Sequence, residues 1–415
     1  MASQQPPEND APPGSGIDDI LEMEDDQFRA AFGESVENPL NIETWLLGDD
    51  LAAMYTSLER EVAQAVEQEG RIRERIRAEL FPVVFQHPQA PPQAGCYKVQ
   101  VAQLEQIHRG LLFNGGVEAC DGTNLVHDTL PITIAQIGVS LVSYQGNQGT
   151  WVHRLFRRDL RVSGLDPIEE AMALLERRRV RGSTDAPDAR DKLSDFTRRG
   201  IMEYAERAIL LRKSEAIWRM GHGHPVPYEL LTGGGLVIGG DMPLLRYSMK
   251  MWRELLMERT RWVFVTSAPS DRLWLTLGDA LHPLEFALVG SPLQSMRDIA
   301  AGHLPPGKDG KGLKSEVQAF VEELGPQIVI GLYRASSHAP ARLFYAHRDT
   351  ACQAAMIAMA DSVLQEHRGF PMLIDLADTV CRSAFGSSAF RDYIEQAYTE
   401  AGVPYRYLGE RETRP

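Results

Sequence analysis

The chain has 415 residues, 43% of them hydrophobic and 8% aromatic, with a formal net charge of −14. That is the composition of a soluble globular protein, with enough apolar material for one large core or two ordinary ones. No apolar run approaches the roughly 20 residues of a membrane span, the first residues lack the charged-then-apolar order of a secretory leader, and the four cysteines form no CxxC pair. Membrane, disulfide-scaffold and thiolate-zinc classes are therefore set aside, and a cytoplasmic protein with reduced thiols is expected.

The charge is lopsided. Residues 1–70 carry seventeen acids and two bases, while the rest of the chain is nearly neutral, so the acidic sum does not argue against a nucleic-acid surface elsewhere. Residues 1–16, rich in Pro, Gly, Gln and Ser, predict disorder. IDDILEMEDDQFRAAF reads as a short acidic helix and NIETWLL as apolar anchors for a partner, giving an acidic N-terminal segment over 1–48. From Leu51 to Leu80, apolar residues Leu51, Met54, Leu58, Val62, Ala65, Ile72 and Ile76 recur mostly at steps of three and four. This spacing predicts a long amphipathic helix that packs on its own domain or forms half of a coiled coil. The prolines of FQHPQAPPQAG stop it, closing a helical extension and linker over 49–95 and leaving 96–415 as the main domain.

Alternating and β-branched runs then predict neighbouring strands in VEACDG, ITIAQIGVSLVSYQG and TWVHRLFRRDLRV, followed by helices over 166–181 and 191–220. Further strands are expected in GGLVIGG, RWVFVTSA, PQIVIGLYRAS and ARLFYAH, interleaved with helices near 244–258 and 315–324. Helices in ACQAAMIAMADSVLQEH, FPMLIDLADTVCRSAF and AFRDYIEQAYTEAG follow. Strands first, then strands alternating with helices, predict an α/β domain with one mixed central sheet flanked by helices, behind an N-terminal helical extension.

Asp121-Gly122-Thr123 has three readings. It lacks the lysine and the following helix of a phosphate-binding loop, and Asp-Gly suits a tight turn. The apolar run before it nevertheless places Asp121 at the edge of a core, where a carboxylate needs a cation or several donors. Hard divalent ions take oxygen ligands, and a two-metal site gathers carboxylates from distant segments. In DFTRRGIMEYAERAILLRK, Glu203 and Glu206 share a helix side, either paired with Arg199 and Arg207 at the surface or turned to a metal. Asp375 and Asp378 share one face of an apolar helix. Arginines crowd residues 154–181, as a phosphate-binding patch or as an ordinary charged surface. His222 and His224 in GHGHP lack a third ligand at recognisable spacing and read as loop histidines, and PPGKDGKGLK lacks Walker spacing.

Taken in order, CDGTN, RRGIMEYAERAILL, ELLTGGGLV, RWVFVTSAPSDRLW and GFPMLIDLAD resemble the NurA nuclease family over about Val117 to Tyr398. The resemblance implies an RNase H-like fold and a DNA nuclease that uses Mn2+ or Mg2+ beside a HerA-like hexameric ATPase, in end processing, repair or defence against foreign DNA. DNA, the ATPase and a second copy in a homodimer are the expected partners. Asp121 and Glu203 would hold metal, Asp378 would complete the charge, and Asp241 is a further candidate. Arg154, Arg157, Arg158, Arg161, Arg178 and Arg199 would contact DNA.

Two places depart from the family pattern. Thr232 stands where the family carries an acid, and the expected aromatic and histidine of the last motif fall on Phe370 and Asp378. A threonine hydroxyl is a poor substitute for a charged ligand, and phenylalanine has no proton to give. Either other acids complete the site, or the chain is a catalytically degenerate adaptor that binds DNA or the ATPase without cutting. An actin-like sugar or acetate kinase is disfavoured, because CDGTN lacks the usual residue between Asp and Gly and no duplicated domain is visible.

Overall fold

A computed structural model of the chain describes residues 26–45, 51–128, 132–157, 168, 172, 194–233, 235–238, 241–267, 271–302 and 312–405. Met1–Ile72 and Arg73–Pro415 form two compact units. The expected disorder over 1–16, most of the helix expected over 166–181, and Arg158, Arg161 and Arg178 lie outside the described residues. Among the described residues no helix is long and apolar enough to cross a membrane.

Among the described residues nine strands form one sheet: β1 (Gly95–Lys98), β2 (Val117–Asp128), β3 (Thr133–Ser143), β4 (Gly146–Arg157), β5 (Trp218–His222), β6 (Trp262–Val265), β7 (Glu285–Gly290), β8 (Ile328–Arg334) and β9 (Arg342–His347). Their order is β1-β7-β8-β9-β6-β5-β2-β3-β4. The β4-β3-β2 meander is antiparallel, whereas β5 runs parallel to β2 and β6 parallel to β5. An antiparallel three-strand meander whose first strand continues into two parallel neighbours is the RNase H-like arrangement, here extended by four strands on the β6 side. It makes β2 the hinge between the two halves of the sheet.

From residue 51 onward the described α-helices are α1 (Leu51–Phe85), α2 (Val101–Ile107), α3 (Asp195–Arg212), α4 (Tyr228–Thr232), α5 (Pro243–Glu258), α6 (Arg272–Asp279), α7 (Leu293–Ala301), α8 (Gly312–Leu324), α9 (Ala351–Ser362), α10 (Met372–Phe385) and α11 (Ser387–Glu400). Because strand side chains alternate between faces, the sheet separates two cores. Cys120, Leu141 and Phe264 pack with Leu210 of α3, Trp252 of α5 and Phe320 of α8. Ala119, Val142 and Val263 pack with Ala358 of α9 and Leu373 of α10. Each fully buried Leu or Phe contributes about 1.5–3 kcal/mol, so these layers fix where α3 and α10 lie against β2.

Three expectations need correction. The helix expected over 191–220 ends at Arg212, and 218–222 is strand β5, whose Trp218 N–H is bonded to the Gly116 carbonyl. Among the described residues of GGLVIGG no strand forms; α4 precedes it, ended by left-handed Gly233 at φ 64°, and an isolated bridge joins Ile238 to Asp241. Glycine terminates a helix there at no steric cost, so a glycine-rich apolar run became a helix end. Finally, Asp121-Gly122 is not a turn: β2 runs straight through it, with Asp121 opposite Ser140 and Gly122 opposite Val139.

Candidate functional site

Gly122 has a packing reason. A β-carbon at 122 would lie 2.6 Å from Glu206 Oε1 and 2.8 Å from Met202 Cγ, so only glycine lets α3 close on the strand at this point. Its N–H donates to Asp121 Oδ1 at 2.9 Å and also supports Glu206. Burial raises the Asp121 carboxyl well above its ordinary range, and the charges of Glu206 and Asp378 add to this, while the Gly122 N–H and Arg207 oppose it. Asp121 therefore faces acids brought by two helices from opposite layers.

Helix α3 starts at Ser194, whose hydroxyl accepts the Thr197 N–H at 3.2 Å, a cap that sets the rotation of the helix. Glu206 is 4% exposed and accepts from Arg207 Nη1 at 2.9 Å. Arg207 is itself 1% exposed. It also donates to the His222 carbonyl and lies over the rings of Phe264 at 4.8 Å and Trp252 at 5.5 Å. β-carbons at Gly221 and Gly223 would come 3.4 and 3.5 Å from its guanidinium nitrogens, so the glycines of GHGHP form the wall of an arginine slot. Burial pushes Glu206 up to about 7, with Arg207 opposing and Glu203 adding. Glu203 also rises to about 7 through burial, with Arg207 opposing and Glu229 adding. Its Oε1 is enclosed without a hydrogen-bond partner. The surface pairing of Arg199 with the glutamates does not occur: Arg199 Nε lies 2.7 Å from Asp195 Oδ2.

Glu229 on α4 was not foreseen. It is 1% exposed, and neither carboxylate oxygen has a partner in hydrogen-bonding geometry. Burial pushes it up to about 7, partly offset by its own backbone N–H and the Ser248 hydroxyl. Two glycines make room for it: a β-carbon at Gly200 would lie 2.9 Å from Glu229 Oε1, and one at Gly235 2.8 Å from its Cγ. Thr232, one turn later, is exposed and returns its hydroxyl to the Tyr228 carbonyl at 2.9 Å.

Helix α10 brings Asp378, whose Oδ1 accepts from Arg382 Nε at 2.8 Å. The start of α10 is held by buried Asp361, which accepts the Leu373 N–H at 2.8 Å and the Tyr144 hydroxyl at 2.5 Å. Phe370 is buried, flanked by the guanidiniums of Arg368 at 5.4 Å and Arg342 at 5.6 Å, and its ring is 5.6 Å from that of His222. His222 is not a loop histidine: it ends β5, its Nε2 lies 2.7 Å from Ser267 Oγ, and burial together with Arg207 lowers its pKa. His224 does lie in the following loop, with Nδ1 2.8 Å from the Tyr345 hydroxyl.

Of the residues expected to act together, Asp121 and Asp378 are neighbours, joined by Glu206, while Glu203 is neighbour to Glu206 and Glu229. Asp241 is engaged elsewhere, accepting from Met242 N at 2.9 Å and Arg246 Nε at 3.1 Å. Arg154 donates to Gln136 at 2.7 Å, and the Arg157 side chain lies outside the described residues. Among the described residues no group of three His, Cys, Asp or Glu side chains converges so as to hold a metal ion.

The donor set still suits a hard divalent cation in kind. All its ligating atoms are oxygens, and of the five carboxylates only Glu206 and Asp378 have a guanidinium hydrogen-bonded to them. Mg2+-type ions bind through one or two carboxylates and complete their shell with water. Pairs of acids such as these meet that requirement without a third.

No protein-family profile matches the chain, and no curated protein does. Solved structures are similar in arrangement. The NurA nuclease from Sulfolobus solfataricus is 8% identical, with 88% of this chain and all of that one covered, at a TM-score of 0.48. A NurA with manganese is 10% identical, covering 83% and 98%, at 0.36. Endonuclease V of Ciona intestinalis in complex with DNA is 9% identical, covering 79% and 98%, at 0.25.

Proposed function

We propose that the chain is a divalent-metal-dependent DNA nuclease, with Asp121, Glu203 and Asp378 as its acidic ligands, taking Mn2+ or Mg2+. The observation that carries this reading is a set of carboxylates buried beside the central strand with less positive charge than they need. Buried acids persist only where a cation, donors or protons offset their desolvation, and carboxyls displaced to about 7 cluster at functional sites.

A bound divalent ion supplies Lewis-acid polarisation of a phosphodiester and a lowered pKa for its water. The protein's own part is positional. Asp121, fixed by the Gly122 N–H, is the anchor on the rigid strand; Arg207 holds Glu206 so that α3 keeps its approach; Asp361 holds α10, which carries Asp378. Arg154 and Arg199 provide attraction for the phosphate backbone. The order of motifs supports work beside a HerA-like ATPase in end processing, repair or defence, in the cytoplasm. The exposed Leu58, Val62 and Val66 of α1 offer an apolar stripe for a homodimer.

Incubation with single- and double-stranded DNA and Mn2+, with and without the ATPase, tests this. Cleavage that requires the ion and falls about a hundredfold or more in Asp121→Ala is the expected result. No cleavage under either condition, or cleavage indifferent to that change, overturns it. The adaptor reading draws on the Thr232 hydroxyl turned back into its own helix and on Phe370 in place of a proton-bearing ring. Stable co-purification with the ATPase, without any metal binding in calorimetry, would favour it.

A further inference from the structure

We infer that Glu229 and Glu203 together form a cation locus that takes one divalent ion of the Mg2+ and Mn2+ class, with Glu229 as its principal acid. This rests on the metal-dependent reading above and adds a ligand that no motif marked.

Three carboxylate oxygens, Glu203 Oε1 and both of Glu229, are enclosed with no donor in hydrogen-bonding geometry, the Ser248 hydroxyl and the Glu229 backbone N–H only partly relieving Glu229, and the Glu229 charge acts on Glu203 from a second helix. Glu229 is nearly inaccessible, so water does not solvate the charge as it would at a surface. The guanidinium contacts around the acids go elsewhere: Arg207 binds Glu206 and the His222 carbonyl, and Arg199 lies against Asp195. Two glycines admit the Glu229 side chain to this position, because alanine at Gly200 or Gly235 would press a β-carbon onto it. A small cation of high charge meets such a demand, and a six-coordinate ion needs only two carboxylates, its remaining positions going to water or a phosphate oxygen. The competing occupant is a proton shared between the two acids.

Mn2+ titration by calorimetry and thermal melting of the full chain separate these occupants. Glu229→Gln keeps the shape and removes the charge. The expected result is Mn2+ affinity weakened about tenfold or more, a metal-free Tm raised by about 2–4 °C, and a smaller Mn2+-induced rise in Tm than in the wild type. Wild-type Mn2+ affinity in Glu229→Gln overturns the locus and assigns the pair a proton only. If that variant does not fold, Glu203→Gln on the longer helix α3 carries the same comparison. Wild-type protein that binds no Mn2+ overturns both the locus and the nuclease reading. Mn2+ binding lost in the variant, in a protein that cuts no DNA, sinks the nuclease reading and leaves the locus standing; cleavage with unchanged affinity in the variant does the reverse.

Discussion

Glu206 and Glu229 are equally hidden from solvent, raised to the same region near 7, and differ in one thing. Glu206 has a guanidinium 2.9 Å away from the next residue in the chain, while Glu229 has none, its burial offset only in part by its own backbone N–H and the Ser248 hydroxyl. Burial alone therefore does not distinguish a structural acid from a functional one; the difference lies in whether the protein supplies the counter-charge itself. Where it does, as at Glu206, the pair behaves as part of the packing, enclosed by Trp252, Phe264 and two glycines. Where it does not, as at Glu229, the counter-charge is the cation from solution proposed above.

The largest effect should come from removing the internal cation. Arg207→Met strands Glu206 in a buried setting and should destabilise the protein by about 3–5 kcal/mol in urea unfolding, the usual effect of deleting one member of a buried ion pair. Adding Glu206→Gln should restore a large part of that loss, since the uncompensated charge is then gone. A single-variant loss below about 1 kcal/mol would mean that Glu206 is already neutral, and the two acids would no longer differ in kind.

A smaller effect follows from pH. Glu203, Glu206 and Glu229 sit near 7 in the fold, against an ordinary value of 4.5. The folded chain therefore binds more protons than the unfolded one between these values. This stabilisation is full below about pH 4.5, declines as pH rises through about 7, and is absent above about pH 8. In metal-free buffer stability should fall by on the order of a few kcal/mol from pH 5 to pH 8 from these groups, and Glu229→Gln should make that decline shallower. A decline unaltered in Glu229→Gln would place the titration on Glu206 and Glu203 alone.

How far these features were legible in the sequence depends on the distance over which each is decided. Strands β3 and β8 stand out because long β-branched runs have few alternatives, β9 because RLFYAH is apolar and aromatic, and the mixed sheet with flanking helices follows from their order. Strand β5 did not, because WRMGH has neither alternation nor length and follows a helix after only five residues. Gly122 looked like a turn residue, since the need for it arises in α3, more than 80 positions later. Glu206 and Arg207 were visible as charges on a helix, yet the tertiary slot that buries them was not. Glu229 carried a faint local signal, a lone acid in an apolar PVPYELL stretch before three glycines. Its burial comes from α3 and α5 closing over it.

Thr232 is the counterpart of Glu229 on the same helix, and changing it should matter least. It occupies the position at which an acid was expected, yet it is exposed and its hydroxyl is returned to the Tyr228 carbonyl within α4. Such an intrahelical bond contributes little, and an exposed substitution away from special features changes stability by less than about 0.5 kcal/mol. Thr232→Ala should accordingly melt like the wild type and bind Mn2+ with unchanged affinity. Thr232→Asp should not strengthen Mn2+ binding either, because the new carboxylate starts at the surface and one helical turn from Glu229. A clear gain in affinity from Thr232→Asp would show α4 turning to bring position 232 inward when an ion arrives, and the acid of this helix would then be assigned to 232 rather than 229.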